Sequence, residues 1–332
     1  MPEITSVNKA SNNEWDEMWL RSEYSTYYHS REWAEIWQSY TNGVIRPLTQ
    51  KISFSDGKNV IVPIMRQNYY GGIIKRYGLV GPPSEAKAQY GNWLSDNPLT
   101  AEHIVLLVNY LITKYKNLVW MLNPFDENSK RLAVDSKYIR RKPFVSYMID
   151  LTKGQDNIYS NFKQNCRNKI NQGIKNKLMV KEGAERQDWL NYYRIYQDTV
   201  TRWRDKALYV LDWKFFEILY EKHSKHRTLW LTWYNNIPIS GCICFYSNKI
   251  ILLFHSASLS EYQYLRPVNL EKYIVIKDGV DKGYHWLDLG TAGGNKGLDN
   301  FKKSFGPEKK MRDMIISWHP VIYNIKKVIE RK

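Results

Sequence analysis

Apolar residues in the first part of the chain recur alternately at helical and at strand spacing. Ser30 precedes a helical repeat and is a suitable N-cap, and Asp56-Gly57 is a hairpin signal between two β-rich segments. The predicted elements are a helix at residues 33–40, strands at 44–54, 60–67 and 72–80, a helix at 104–115, and strands at 118–122 and 143–151.

The rest of the chain shows the same alternation. Pro267 precedes a helical repeat and Gly283 follows it, as expected for a helix start and a C′ glycine. The predicted elements are a helix at residues 158–174, a strand at 178–180, helices at 190–200 and 215–222, strands at 228–234, 237–246 and 250–257, the helix after Pro267, a strand at 285–289, a glycine-rich loop at 290–297, a short helix ending at Gly306, and a strand at 311–318.

Both parts run in the order helix, antiparallel meander, helix, strand, short helix, strand, which indicates an internal structural duplication. We therefore predict an α/β fold of two domains, residues 1–150 and 151–332, each with a mixed sheet flanked by helices. A helix between a three-stranded meander and the next strand is similar to the arrangement in GNAT acyltransferases. The expected fold is therefore two GNAT-like domains packed together.

Composition and charge limit the classes of protein to which the chain can belong. Hydrophobic residues make up 43% of the 332 residues, which is ample for a folded core. No apolar stretch is long enough to span a bilayer, so we expect a cytoplasmic protein. Cys166, Cys242 and Cys244 are too few for a disulfide framework or a zinc cage, and His223 and His226 lack a third ligand, so no metal site is predicted.

The net charge of +16 predicts an anionic partner. Nucleic acid, a nucleotide-diphosphate sugar, coenzyme A and an anionic membrane surface all fit this charge, and a basic surface that serves only solubility is the alternative.

Two basic side chains are the leading candidates for contact with such a partner. Lys302 follows the glycine-rich loop, where its ammonium could lie beside a phosphate or a developing oxyanion. Arg167 could grip a diphosphate with its planar guanidinium, and Lys163 and Lys169 are weaker candidates on the same helix. The alternative for Lys302 is a lysine on a helix surface, and the alternative for Arg167 is a place on a solvated helix face. We predict that Arg167 and Lys302 lie in one groove.

The glycine-rich loop has its own structural candidates. Asp288 ends a strand two residues before a glycine, so it is expected to cap the loop by accepting backbone N–H bonds. Gly290, Gly293 and Gly294 would allow the backbone to approach a ligand closely.

Residues 145–320 carry a family resemblance. The run Trp286-Leu287-Asp288-Leu289-Gly290, then Gly293-Gly294, then Phe301-Lys302-Lys303-Ser304-Phe305-Gly306 resembles the strand, glycine loop and Phe-Lys-x-x-Phe-Gly signature of the Fem family. Arg167-Asn168-Lys169-Ile170 is similar to that family's Arg-rich helix. The family adds amino acids to cell-wall precursors.

The resemblance implies transfer of an amino acid from aminoacyl-tRNA to an amine of a peptidoglycan precursor, with no tightly bound cofactor. It implies that Phe301 stacks on a base at the RNA end of the donor site, that Lys302 neutralises charge there, and that Arg167 contacts the acceptor's phosphates. The expected partners are charged tRNA and a nucleotide- or lipid-linked sugar precursor, with possible peripheral contact with a membrane surface and no DNA.

Two alternatives stay open. Acetyl-CoA enzymes of the GNAT type cradle the pyrophosphate in an Arg/Gln-x-x-Gly-x-Gly/Ala turn, and here Arg266-Pro267 has the arginine but no glycine. Arg266 could still meet an anion, so an acyl-CoA-dependent N-acetyltransferase acting on an amino sugar or polysaccharide precursor is the first alternative. A non-catalytic RNA-binding protein is the second.

Overall fold

The computed structural model describes residues 1–69, 72, 74–82, 89–126, 138–203 and 210–318. These residues form two compact units: unit 1 comprises Met1–Val145 and the segment that begins at Met311, and unit 2 comprises Ser146–Lys310. The chain passes from unit 1 to unit 2 within one strand and returns within another, a return that the sequence did not predict. The division into GNAT-like domains at residues 1–150 and 151–332 stays a prediction.

Within the described residues, unit 1 contains a small sheet, part of a larger sheet, and three α-helices. Its small sheet has the strand order β1-β3-β4, and its second sheet has the order β2-β5-β6-β7-β14. The elements are β1 (Ile4–Lys9), α1 (Asn12–Arg21), α2 (Arg31–Tyr40), β2 (Ile45–Pro47), β3 (Gln50–Phe54), β4 (Asn59–Val62), β5 (Ile64–Tyr69), β6 (Ile74–Leu79), α3 (Ala101–Lys114), β7 (Leu118–Met121), the beginning of β8 (Ile139–Asp150) and most of β14 (Glu308–Ser317).

Local signals in unit 1 are confirmed, but their strand boundaries are wrong. Ser30 caps α2, because its Oγ accepts a hydrogen bond from Trp33 N at 3.1 Å. Gly57 turns the β3–β4 hairpin with a φ of +86°. The predicted strand at 60–67 is instead two strands in different sheets, separated at Pro63, which has no N–H for a ladder. The predicted strand at 44–54 is likewise split between β2 and β3.

Unit 2 is a twisted sheet between helices, with the strand order β8-β13-β12-β11-β10-β9. Its elements are α4 (Gln155–Ser160), α5 (Gln164–Lys175), β9 (Met179–Glu182), α6 (Arg186–Trp203), α7 (Trp213–Glu221), β10 (Arg227–Tyr234), β11 (Ile237–Ser247), β12 (Ile250–Ser258), α8 (Pro267–Asp281), β13 (Trp286–Asp288) and α9 (Lys296–Lys303).

The helices α6 and α8 cover opposite faces of this sheet. A Cβ at Gly241 would lie 2.8 Å from Tyr192 on α6, whereas the neighbouring Ser240 reaches Glu271 on α8 through a 2.9 Å hydrogen bond. Successive residues of a strand point to opposite faces of the sheet, so α6 packs on one face and α8 on the other.

The helix predicted at residues 158–174 is wrong as a single element. It is two helices, α4 and α5, separated at Phe162. The apolar repeat crosses the break because the Phe162 side chain is buried, with its ring centroid 5.3 Å from that of Phe305. At the break, the backbone N of Lys163 donates to a distant partner, Ser304 O, at 2.9 Å, and the side-chain Nδ2 of Asn161 donates to Gly306 O at 3.1 Å.

Candidate functional site

The strands β12 and β13 diverge in unit 2. They pair in parallel from Ile250–Trp286 to Leu252–Asp288, and then β13 ends while β12 continues to Ser258. A bulge at Phe254 accompanies the divergence, since the pairing of β12 with β11 shifts by one residue there. In the part of the chain that the structure describes, β12 has no partner strand on this side after Leu252, so its half-buried residues 253–256 line an opening.

The glycine-rich loop begins where β13 ends and is held by a buried carboxylate. Asp288 is 3% exposed, and its Oδ1 accepts hydrogen bonds from Gly290 N at 2.6 Å and from Ser146 Oγ at 2.9 Å. Asp288 thus caps the loop in the way that the sequence predicts. Gly290, Gly293 and Gly294 have φ values of +74°, +57° and +84°. Residues with a side chain rarely adopt this backbone conformation, so the course of the loop requires glycine.

Lys302 lies under this loop and is buried. Lys302 lies on α9 and is only 7% exposed, and its Nζ donates to Thr291 O at 2.7 Å. A Cβ at Gly290 would lie 3.5 Å from the same Nζ, so the ammonium is close to the loop backbone. The alternative of a helix-surface lysine is therefore wrong. The ammonium is a positive charge held against the glycine-rich loop that follows β13.

The neighbours of Lys302 on α9 have different surroundings. The Phe301 ring is half-buried, 5.3 Å from the Phe305 ring. Lys303 forms an ion pair with Asp299, which also accepts a hydrogen bond from Tyr147 OH. These contacts with Lys303 and then Tyr147 lower the pKa of the Asp299 carboxyl, and the hydrogen bond to Asp299 raises the pKa of Tyr147. Lys303 is therefore neutralised by a partner on its own helix.

Arg167 is bound to the chain around it. Its Nη1 donates to Ser160 O at 2.7 Å and to Phe162 O, and its Nη2 donates to Gln164 Oε1 at 2.6 Å. The guanidinium therefore stabilises the segment between α4 and α5. Lys163 is exposed at the start of α5, and Lys169 is half-exposed.

The structure brings α5 and α9 together, because the Lys163 N–Ser304 O bond joins the start of one helix to the end of the other. A cavity of about 290 Å³ beside this junction is lined by residues that include Asn161, Phe305 and Gly306, but by neither Arg167 nor Lys302. A common groove for Arg167 and Lys302 stays a prediction.

The start of α8 is packed against α5. A Cβ at Gly173 would lie 3.1 Å from Leu270 Cβ, and Gln172 Nε2 donates to Tyr264 O at 3.1 Å. Arg266 is exposed and has a left-handed φ of +62°, and the buried Pro267 follows at the first helical position. The turn that would hold a CoA pyrophosphate therefore has a proline without an N–H and is flanked by a packed helix.

A buried ion pair near the opening was not found by sequence reasoning. Glu271 and Lys272 are both 0% exposed, with Nζ 2.5 Å from Oε1. Glu271 Oε2 accepts from Ser240 Oγ at 2.9 Å, and Lys272 Nζ donates to Ser256 Oγ at 2.9 Å. Burial opposes the charge of Lys272, but nearby acidic groups that include Glu271 hold its pKa above the ordinary value. The pair links α8 to β11 through Ser240 and to β12 through Ser256.

The described residues contain neither a metal-binding cluster nor a membrane-spanning helix. No group of three or more His, Cys, Asp or Glu side chains in those residues is arranged to hold a metal ion. Within the same residues, every helix is too short or too polar to cross a bilayer. The predicted cytoplasmic location stays a prediction.

Comparisons with known proteins agree with this geometry. Residues 160–303 match a family model described as an acetyltransferase (GNAT) domain. The comparison with curated proteins yields no match. Among solved structures, FemX superposes with a TM-score of 0.66 at 14% identity, covering 93% of this chain and 97% of that one.

Two other structures superpose over most of the chain. The C-terminal domain of a putative lysylphosphatidylglycerol synthetase from Agrobacterium fabrum gives a TM-score of 0.57 at 12% identity, covering 92% of each chain. L-PGS from Bacillus licheniformis gives 0.53 at 11% identity, covering 85% of this chain and 88% of that one. The GNAT-like α/β fold is thus confirmed, the resemblance to Fem-type proteins is confirmed, and the chain is an acyltransferase.

Proposed function

We propose, on the premise that the chain is a GNAT-type acyltransferase, that it transfers an aminoacyl group from aminoacyl-tRNA to an amine of a peptidoglycan precursor. One observation carries the proposal most directly: the buried ammonium of Lys302 lies beside a glycine-rich loop at the divergence of β12 and β13. A fixed cation in a partly dry site stabilises negative charge more strongly than a solvated one does.

In the proposed reaction, the uncharged acceptor amine attacks the ester carbonyl carbon of the donor. The carbonyl oxygen becomes an oxyanion, which Lys302 stabilises in exchange for its bond to Thr291 O. The C–O bond to the ribose then breaks, and the proton lost by the amine passes to the ribose oxygen. Because the donor is already an activated ester, no covalent intermediate on the protein is needed.

The arrangement around α8 supports tRNA rather than CoA as the donor. An ordinary CoA cradle uses converging backbone N–H groups at a helix start, and here Pro267 removes one of them while α5 packs against the first turn. The net charge of +16 favours a large polyanion such as tRNA. The half-buried Phe301 ring next to Lys302 suits stacking on a base of that RNA.

The acyl-CoA-dependent reaction is the second candidate function. It is favoured by the match of residues 160–303 to an acetyltransferase model, and the acceptor would be an amino sugar or polysaccharide precursor. The exposed Arg266 would then contact the CoA phosphates. The assignment as an acyltransferase argues against the alternative of a non-catalytic RNA-binding protein.

A donor-exchange experiment separates these reactions. The protein is incubated with a nucleotide-linked peptide precursor and radiolabelled aminoacyl-tRNA, with or without earlier digestion of the donor by ribonuclease, and labelled acetyl-CoA is tested in parallel. We expect label transfer from intact tRNA, loss of transfer after digestion, and no transfer from acetyl-CoA. Undiminished transfer after digestion, or transfer from acetyl-CoA alone, would reject the tRNA donor.

A further inference from the structure

One buried arginine in unit 1 has no counterion among the residues that the structure describes. Arg312 on β14 is 3% exposed, and among the described residues neither its Nε nor its Nη1 has a hydrogen-bond partner. Removal of a charged group from water costs several kcal/mol unless the charge is paired and hydrogen-bonded. A guanidinium in this state is therefore expected to meet an anion.

The surrounding side chains fix the position of this guanidinium. Its Cζ lies 4.7 Å from the centroid of the Tyr90 ring, a cation–π contact that occupies one face and leaves the edges for hydrogen bonds. Nε and Nη1 belong to different edges of the planar guanidinium. Each of these two edges therefore has an N–H group that finds no partner among the described residues.

An amide side chain lies across the ladder from Arg312. Leu122 N donates to Asp313 O at 2.8 Å, which continues the antiparallel β7–β14 register and places Asn123 opposite Arg312. Residues opposite each other in a ladder share a face of the sheet. Asn123 is 8% exposed, so this part of the face is both polar and dry.

Nearby carboxylates of unit 1 are engaged elsewhere. Asp313, the next residue on β14, pairs with Arg141 at 2.6 Å, and Asp126 accepts a hydrogen bond from Asn92 at 3.1 Å. Neither of them forms an ion pair with Arg312, although an acidic group at that place would lower the cost of burying it.

We propose that Arg312, with Tyr90 stacked on it, forms an oxyanion-binding site in unit 1 for a carboxylate or phosphate group of a small molecule. A planar guanidinium matches the two oxygens of either group with parallel, charge-assisted hydrogen bonds. The site lies in unit 1, whereas Lys302 lies in unit 2, so the proposal holds whichever acyl donor the enzyme uses.

Thermal unfolding in matched salts tests this site. The wild-type chain, Arg312→Met and Arg141→Met are unfolded in sodium phosphate, sodium acetate and sodium chloride at equal ionic strength. Arg312→Met removes the charge but keeps an apolar stem, and Arg141→Met removes a paired, half-exposed charge from the same unit. At tenfold over Kd, phosphate or acetate should raise the wild-type Tm by about 2 °C relative to chloride.

Arg141→Met should keep this rise and Arg312→Met should lose it. A rise with phosphate alone would identify a phosphate ligand, and a rise with acetate alone a carboxylate. No rise in the wild type, or an equal rise in Arg312→Met, would overturn the proposal. If Arg312→Met does not fold, calorimetric titration of the wild type with phosphate and with acetate decides, and absence of saturable heat in both titrations rejects the site.

Discussion

The buried ion pair on α8 gives the sharpest prediction about stability. Changing Lys272 to Met removes the ammonium. Of the partners of the Glu271 carboxylate within the described part of the chain, the hydroxyl groups of Ser240 and Thr232 then remain. Both charged residues are 0% exposed, so water cannot replace the lost ammonium without opening the packing between α8 and the sheet. An uncompensated buried charge of this kind typically costs about 3–5 kcal/mol.

The double variant Glu271→Gln, Lys272→Met should recover most of this loss. A neutral amide can still bond to Ser240 and Thr232, and no charge is then buried, so we expect a net cost of about 1 kcal/mol relative to the wild type. The surface pair supplies the control. Lys303, whose side chain is 37% exposed, pairs with Asp299, and Lys303→Met should leave the urea midpoint close to that of the wild type.

The free energy of unfolding can be measured by urea titration, with the 13 tryptophans as fluorescent reporters. Because the pKa of Lys272 is raised in the folded state, the contribution of its charge is fully present at pH 7 and is lost only as the pH rises through that pKa. A single variant that is no less stable than the double variant would refute the reasoning, since the carboxylate would then not depend on its ammonium.

Two further predictions concern packing and pH. Gly241→Ala places a Cβ 2.8 Å from Tyr192 and should destabilise by about 1–3 kcal/mol in urea unfolding, whereas Gly297→Ala, in a helix, should change stability by less than about 1 kcal/mol. Burial lowers the pKa of His29 to about 3, so the unfolded chain binds an extra proton below pH 6.5, and stability should fall as the pH drops from 6.5 toward 3, by up to about 1.4 kcal/mol per pH unit. His29→Gln should flatten this slope and replacement of the exposed His223 by Gln should not; an unchanged slope in His29→Gln would contradict the assignment.

Elements set by local signals could be predicted from the sequence. The cap at Ser30, the turn at Gly57 and the C′ glycine at Gly283, with a φ of +75°, all lie where the residue types placed them. Each of these depends on side chains within a few positions along the chain, so the sequence contains the whole cause.

Breaks caused by distant partners could not be predicted. The apolar repeat continues through Phe162, yet α4 ends before it, because Lys163 N bonds to Ser304 O and the Phe162 ring packs on Phe305. These partners are more than a hundred positions away in the sequence. A periodic pattern reports which residues are buried but not which backbone bonds are exchanged.

The candidate site, too, could be predicted from the sequence only in part. Motif spacing was sufficient to select Lys302 and Asp288, which the structure places at the glycine-rich loop. Glu271 and Lys272 were missed because charged residues are assigned to the surface unless a partner is known, and their partners lie on β11 and β12. Arg312 was missed for the same reason.

The central claim is that the Lys302 ammonium stabilises charge during acyl transfer. Single-turnover rates of amino acid transfer from charged tRNA to a nucleotide-linked peptide precursor should be measured for the wild type, Lys302→Met and Lys303→Met. Loss of about 2–4 kcal/mol of transition-state stabilisation predicts a rate about 30 to 1,000 times lower for Lys302→Met, while Lys303→Met, which breaks the pair with Asp299, should stay within about threefold of the wild type. Equal rates for Lys302→Met and the wild type would contradict the claim.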